Sequence, residues 1–100
     1  MKIVERMIQT IYPGKNAALE AIDKRYDAVE SMLGFPPKQR FWAISGSHNL
    51  NTLVIEREWE SMAAMEAAYE KSFVNKEIEA LGQEAQTIIK NSRMELYTPA

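Results

Sequence analysis

The chain of 100 residues contains no cysteine, which excludes disulfides, thiolate metal sites and cysteine nucleophiles. It also lacks a cluster of lysine and arginine. Its net charge is −2, whereas nucleic-acid binding requires a basic stripe to neutralise phosphates. No apolar run approaches the ~20 residues of a membrane-spanning helix, and the first six residues become charged too early for a signal peptide. We therefore expect a cytoplasmic protein with no nucleic-acid or membrane partner.

The remaining composition is typical of one globular domain over residues 1–100. Apolar residues make up 46% of the chain and charged residues 26%, a balance found in folded rather than disordered proteins. A chain of this length can bury one core of modest size.

Hydrophobic periodicity predicts four strands, over residues 2–11, 39–47, 52–59 and 93–98. Turn-forming residues 48–51 join the second strand to the third. One helical pattern follows the first strand and another precedes the last strand, so the predicted order is β-α-β-β-α-β.

Capping residues predict where the helices begin and end. Asn16 is the expected N-cap of the first helix, and Gly34 is expected just beyond its end. Ser61 is the expected N-cap of the second helical region, with a break near residues 72–75. Asn75 then caps a further helical segment, in which Ile88 and Ile89 are expected on the inner side.

This order predicts an α+β, ferredoxin-like fold: a four-stranded antiparallel sheet with helices on one face. A doubly wound parallel sheet would need a helix between the second and third strands, and residues 48–51 leave no room for one.

Apolar side chains point to both faces of the predicted strands. In the first strand, for example, Met7 opposes Val4 and Ile8. Helices can cover only one face of this topology, and exposing the other would forgo ~1.5–3 kcal/mol for each large apolar side chain. We therefore expect a homodimer in which two copies pack sheet to sheet around a two-fold axis.

Charged residues interrupt both faces of these strands, including Glu5, Arg6 and Arg57. Because a buried charge is costly unless paired, two interpretations remain open. Acidic and basic residues could pair across the sheet, or some could line a polar cavity and contact a ligand.

A pair of glutamates on the third strand and the single histidine are the candidate catalytic groups. Glu56 and Glu58 share one face of the third strand, where a carboxylate pair could supply a base. Pairing with Arg6 or Arg40 is the alternative. His48, the only histidine, is a candidate general acid or base; because it lies in a predicted turn, a solvated side chain is expected.

The junction Glu58-Trp59-Glu60-Ser61-Met62-Ala63-Ala64 runs from the third strand into a helix. It resembles the Trp-x-Ser pattern of the dimeric α/β-barrel superfamily. Pro13-Gly14-Lys15 before the first helix and Gly34-Phe35 before the second strand also fit. Within that superfamily the chain is similar to the antibiotic-biosynthesis-monooxygenase (ABM) and NIPSNAP-type groups. The resemblance implies a pocket between the sheet and helices of each protomer, with Trp59 in its wall.

The resemblance implies two kinds of enzyme: cofactor-free oxygenases of aromatic or quinol-like substrates, and haem-degrading monooxygenases. The haem-degrading members carry an axial histidine on the helix after the junction and an asparagine in the first strand. Residues 62–90 contain no histidine, and the first strand has Arg6 or Met7 nearest the asparagine position. We therefore expect no haem degradation by that arrangement, and no metal or cofactor.

The candidate pocket residues are Trp59, Arg6, Arg57, Tyr69, Met65 and Trp42. Trp59 is expected in the wall, although core packing is an equal alternative. Arg6 or Arg57 is expected to contact an anion or a carbonyl group, and Tyr69 to donate a hydrogen bond from the helix. The remaining two add apolar surface.

Two functions remain open at this point. The protein could bind a small apolar or aromatic molecule and act as a cofactor-independent monooxygenase. Alternatively, it could be a non-catalytic, stress-related or regulatory dimer that binds a ligand or a partner. The lack of a positioned histidine slightly favours the second function, and the residues identify no catalytic group.

Overall fold

Four strands and three helices make up the protein, in a computed structural model that describes all 100 residues. The elements are β1 (Ile3–Ile11), α1 (Asn16–Met32), β2 (Lys38–Trp42), β3 (Thr52–Trp59), α2 (Met62–Phe73), α3 (Lys76–Ala85) and β4 (Ile89–Tyr97). The strands form one antiparallel sheet in the order β2-β3-β1-β4. The predicted ferredoxin-like fold is therefore confirmed. None of the helices combines the length and apolar character needed to cross a bilayer.

The core lies between the sheet and the helices. Its larger cluster joins sheet residues to α1 and α3 and consists of Ile11, Leu19, Ile22, Val29, Leu53, Ile55, Leu81, Ala85 and Ile88. A smaller cluster under α2 consists of Ile3, Phe35, Trp59, Met65 and Ala68. The β1 and β3 members of both clusters share one side of the sheet, which we call the helix-facing side.

Capping residues determine the helix ends. The Ser61 hydroxyl accepts a hydrogen bond from the Ala64 N–H (3.1 Å), and the Asn75 side-chain carbonyl accepts one from the Ile78 N–H (2.9 Å). Both predicted N-caps, and the break between α2 and α3, are thus confirmed. Gly34 follows α1 with a φ of +89°, a left-handed conformation that glycine adopts without strain.

The predicted N-cap at Asn16 is wrong, because the helix begins one residue earlier. The Lys15 carbonyl already accepts a hydrogen bond from the Leu19 N–H (2.9 Å), so Lys15 is the N-cap and Asn16 is the first helical residue. The Lys15 side chain makes no capping bond.

The predicted end of the second strand is also wrong. β2 stops at Trp42, and Ile44 lies in the following loop with 86% of its surface exposed. The Ser-Gly-Ser segment that follows has little strand propensity, and Gly46 adopts a φ of +112°. The predicted hairpin between β2 and β3 therefore forms with a longer loop.

The predicted boundary between the last helix and the last strand is four residues too late. α3 ends at Ala85, and Ile89 already pairs with Ile11 in the sheet. The β-branched side chain of Ile89 fits a half-buried strand better than a helix end, and residues 86–88 form the turn before it.

The sheet face turned away from the helices, which we call the outer face, mixes charged and apolar residues. Arg6 lies at its middle and bonds Glu56 (2.9 Å) on the neighbouring strand. Ile8 is buried, whereas Phe41 near one edge is 49% exposed and Tyr97 near the other is 42% exposed. Apolar side chains therefore project from both faces of the sheet. On the outer face, the charged residues Glu56, Arg6 and Glu95 separate the apolar side chains into two groups.

Candidate functional site

A buried carboxylate, Glu5, is the centre of the candidate site. It lies on the helix-facing side of the interior strand β1 and is 2% exposed. The Trp59 indole N–H donates to Glu5 Oε1 at 3.0 Å. The Tyr69 hydroxyl lies 2.8 Å from both carboxylate oxygens. These donors compensate the loss of water around the charge, so β3 and α2 together stabilise an acidic group inside the domain.

Arg57 places a positive charge next to this carboxylate. It pairs with Glu5 across β1 and β3, with its Nη1 3.8 Å from Glu5 Oε2. Its Nη2 donates to Glu30 at 2.8 Å, and its Nε donates to the Pro36 carbonyl at 3.0 Å. The guanidinium carbon also lies 4.9 Å from the centre of the Phe35 ring. Because these contacts fix the planar group from several directions, Arg57 links the sheet to α1.

Glu30 extends the charged network toward the surface. Lys38 Nζ lies 3.2 Å from Glu30, 2.7 Å from Asp23 and 3.1 Å from Asp27. Arg40 also pairs with Asp23. Charges of alternating sign therefore run from the buried carboxylate to the surface between α1 and β2.

A cavity of about 250 Å³ lies between the sheet and the helices, beside this network. The sheet residues that line it are Glu5, Met7, Gln9, Lys38, Ile55, Arg57 and Ile89, and the helices contribute residues that include Tyr26, Tyr69, Phe73 and Ile78. Its volume lies just below the ~300–1,000 Å³ of typical ligand pockets, so it has room only for a small molecule.

The charged network separates this cavity from a cleft of about 320 Å³ at the surface. The two spaces share the lining residues Glu30, Phe35, Lys38 and Arg57. A molecule entering from the cleft would thus pass charged groups before reaching the largely apolar interior.

Aromatic rings pack around the carboxylate. The Phe35 ring contacts Trp59 and Tyr69 edge to face, with ring centres 5.2 and 5.0 Å apart. Burial, and then the neighbouring Glu5 charge, raise the pKa of Tyr69 above its ordinary value. The Tyr69 hydroxyl therefore keeps its proton near neutral pH and acts as a hydrogen-bond donor.

The candidates from the sequence occupy different positions. Arg57 and Tyr69 line the cavity. Trp59 and Met65 belong to the smaller core cluster, and Trp59 reaches the site through its bond to the carboxylate. Trp59 thus packs in the core behind the cavity lining while holding a functional group in place.

Two candidates lie away from the cavity. Arg6 is on the outer face, where it pairs with Glu56 (2.8 Å). Trp42 packs, half-buried, against the larger core cluster. Of the two arginines considered as a ligand partner, only Arg57 lines the cavity.

The carboxylate pair on β3 is neutralised by neighbours on the outer face. Glu56 bonds Arg6, and Glu58 bonds Lys2 at 2.9 Å. The pairing with Arg6 given by the sequence is therefore found for Glu56, whereas Glu58 pairs with Lys2 and Arg40 pairs with Asp23. His48 lies in the loop between β2 and β3 and does not line the cavity.

Sequence reasoning identified Glu5 only as a charge that interrupts a strand. Its spacing from Ile3 and Met7 places it on the helix-facing side, which was the available signal. Identifying its partners required the register of β1 with β3 and the position of Tyr69 on α2. Both are tertiary features.

Comparisons with known proteins give a consistent result for the fold. Neither a known family profile nor a curated protein sequence matches the chain. A solved NIPSNAP family protein from Agrobacterium tumefaciens superposes with a TM-score of 0.85 at 18% identity, covering 100% of this chain and 94% of that one. An uncharacterized NIPSNAP domain protein from Burkholderia xenovorans gives 0.83 at 16% identity, covering 98% and 94%.

An oxygenase has a similar structure. SnoaB, a cofactor-independent oxygenase from Streptomyces nogalater, superposes with a TM-score of 0.72 at 15% identity, covering 99% of this chain and 93% of that one. The protein thus has the fold that NIPSNAP-type proteins share with an ABM-like oxygenase, and the resemblance stated from the Trp59–Ser61 junction is confirmed at this level. Likeness at such identities establishes a fold and leaves the activity to the site.

Proposed function

We propose that the protein binds a small aromatic molecule in the cavity between sheet and helices and oxygenates it without a cofactor. One observation carries the proposal: a largely apolar cavity contains a buried carboxylate, an arginine and a protonated tyrosine. Apolar pockets with a few converging polar groups are typical ligand sites. The cofactor-independent activity stated for SnoaB, which shares the fold, suggests the type of reaction.

The reaction balances for a hydroxylated aromatic ring with a free para position. One atom of dioxygen enters the ring as a second carbonyl oxygen, and the other leaves as water. The substrate gives up two hydrogens to that water, one from its hydroxyl group and one from the para carbon, and supplies the four electrons that reduce dioxygen. In this proposal, Arg57 stabilises negative charge that develops on the substrate oxygen, and the apolar lining excludes water.

A direct test uses 1-naphthol as the substrate. We expect oxygen uptake and formation of a naphthoquinone in the absence of added metal or flavin, measured with an oxygen electrode and mass spectrometry. Arg57→Met should lower the rate, whereas Arg25→Met, which alters an exposed arginine on α1, should leave it unchanged. Saturable binding without oxygen uptake would favour a non-catalytic ligand-binding protein. Absence of both would refute the proposed function.

We also propose that the protein is a homodimer that pairs through the outer faces of its sheets. The exposed rings of Phe41 and Tyr97 support this arrangement, as do the neighbouring apolar side chains of Val4 and Val54. Packing two such faces together would bury apolar surface that the helices leave uncovered.

A further inference from the structure

We infer that the ligand is held by a hydroxyl group placed between Glu5 and Arg57, so that the cavity selects neutral hydroxylated aromatics over carboxylates and ethers. The inference rests on the proposed function, since it assumes that the cavity binds a small aromatic molecule. It adds Glu5 as the residue that, together with Arg57, selects a hydroxyl group over a carboxylate or an ether.

The Glu5 carboxylate can accept further hydrogen bonds. An ionised carboxylate offers about four acceptor positions. Here Oε1 accepts a hydrogen bond from the Trp59 N–H, and the two oxygens share one from the Tyr69 hydroxyl. Oε2 thus has acceptor capacity left, on a residue that is almost fully buried and lines the cavity.

Arg57 supplies the matching donor. Its Nε and Nη2 are engaged by Pro36 and Glu30, but Nη1 lies 3.8 Å from Glu5 Oε2. That distance is too long for a direct hydrogen bond. A hydroxyl group can accept from Nη1 and donate to Oε2 at once, because it contains both a donor and acceptors. No ether or carboxylate can do both.

The charges around the cavity disfavour an anionic ligand. The two cations that line it, Arg57 and Lys38, are already paired with Glu30, and Lys38 also pairs with Asp23. A carboxylate at this place would therefore meet the negative charge of Glu5, while the positive charge of Arg57 is already shared between Glu5 and Glu30. An ether avoids the repulsion but cannot donate to Glu5. Loss of one hydrogen bond to a charged group corresponds to about 10–100-fold in affinity.

Three matched probes test the inference: 1-naphthol, 1-methoxynaphthalene and 1-naphthoate. Binding is measured by calorimetry without oxygen, so that no turnover occurs. We expect 1-naphthol to bind about 10–100-fold more tightly than the ether, and 1-naphthoate not to bind. Glu5→Gln keeps the shape but removes the charge, so it should weaken the preference for 1-naphthol and allow 1-naphthoate to bind. Glu84→Gln, which alters an exposed carboxylate on α3, should keep the original ranking.

The possible failures are distinguishable. Equal binding of all three probes to the unaltered protein would overturn the inference and leave ligand binding in the cavity intact, as would an unchanged ranking in folded Glu5→Gln. Binding of none of them would overturn the proposed function and the inference together. If Glu5→Gln does not fold, Tyr69→Phe replaces it. That variant keeps the Glu5 charge and should still exclude 1-naphthoate, so binding of 1-naphthoate to it would overturn the inference.

Discussion

Replacing Arg57 by methionine should destabilise the protein strongly, because this change leaves two acidic side chains without their shared cation. Arg57 is 6% exposed, and it lies 2.8 Å from Glu30 and 3.8 Å from Glu5. Methionine fills similar space but carries no charge, so the change isolates the electrostatic part of the interaction.

The expected loss is about 3–5 kcal/mol in the free energy of unfolding. Removing one partner of a buried ion pair typically costs this much, because the remaining charge stays buried and uncompensated. Lys38 Nζ lies 3.2 Å from Glu30 and still offsets the charge of that carboxylate, which keeps the loss within this range. A domain of this size is stable by about 5–15 kcal/mol, so this loss removes a large part of the total stability and is readily measured by denaturation.

Arg25→Met is the matched control, since it removes another arginine–glutamate pair. Arg25 lies 2.7 Å from Glu84, but both side chains are about half exposed (52% and 50%). Exposed pairs contribute about 0–1 kcal/mol. Urea denaturation followed by circular dichroism measures both variants against the unaltered protein. Equal and small losses for Arg57→Met and Arg25→Met would refute the reasoning that the Arg57 network is buried and electrostatically important.

Three further predictions concern the tyrosine donor, a helix cap and the oligomeric state. Because the pKa of Tyr69 is raised in the folded state, the unfolded state loses this proton first as pH rises. Stability should therefore fall above about pH 10, the ordinary tyrosine value. Tyr69→Phe should reduce this loss of unfolding free energy, measured by urea denaturation at a series of pH values, and Tyr12→Phe should not. The same pH dependence in both variants would contradict the burial of Tyr69. Asn75→Ala should lower the free energy of unfolding by about 1 kcal/mol, whereas Asn75→Ser should cost less; equal losses on denaturation would argue against the cap. Light scattering at micromolar concentration should give the mass of two chains for the unaltered protein and of one chain for Phe41→Glu. A mass of one chain for the unaltered protein would contradict the dimer.

The sequence predicted the elements whose boundaries depend on local signals. β3 was predicted over its full range, 52–59, because turn-forming residues precede it and Ser61 follows it as a cap. Gly34 likewise marked the end of α1, since it adopts a conformation that other residues avoid. In both places the physical cause lies within a few residues of the boundary.

Predictions failed where the boundary depends on pairing with a distant strand. β4 begins at Ile89 because that residue pairs with Ile11, far away in sequence. The apolar side chains of Ile88 and Ile89 also fit the inner side of the predicted helix, so the local pattern did not locate this change.

The candidate site was predicted only in part for the same reason. Arg57 and Tyr69 were named from the sequence, but Glu5 was not recognised as the group that joins them. Its three partners come from β3 and α2, more than 50 residues later in the chain. A single acidic residue in a strand indicates a buried network only once the strand register and the position of the helix are known.

Binding of a small hydroxylated aromatic molecule in the cavity beside Glu5 can be observed residue by residue, in an amide NMR titration of the ¹⁵N-labelled protein with 1-naphthol without oxygen. We expect saturable shifts concentrated at residues that line the cavity, such as Met7, Gln9, Ile55 and Ser72. Shifts confined to the loop between β2 and β3 or to the outer face, or no shifts at all, would contradict it.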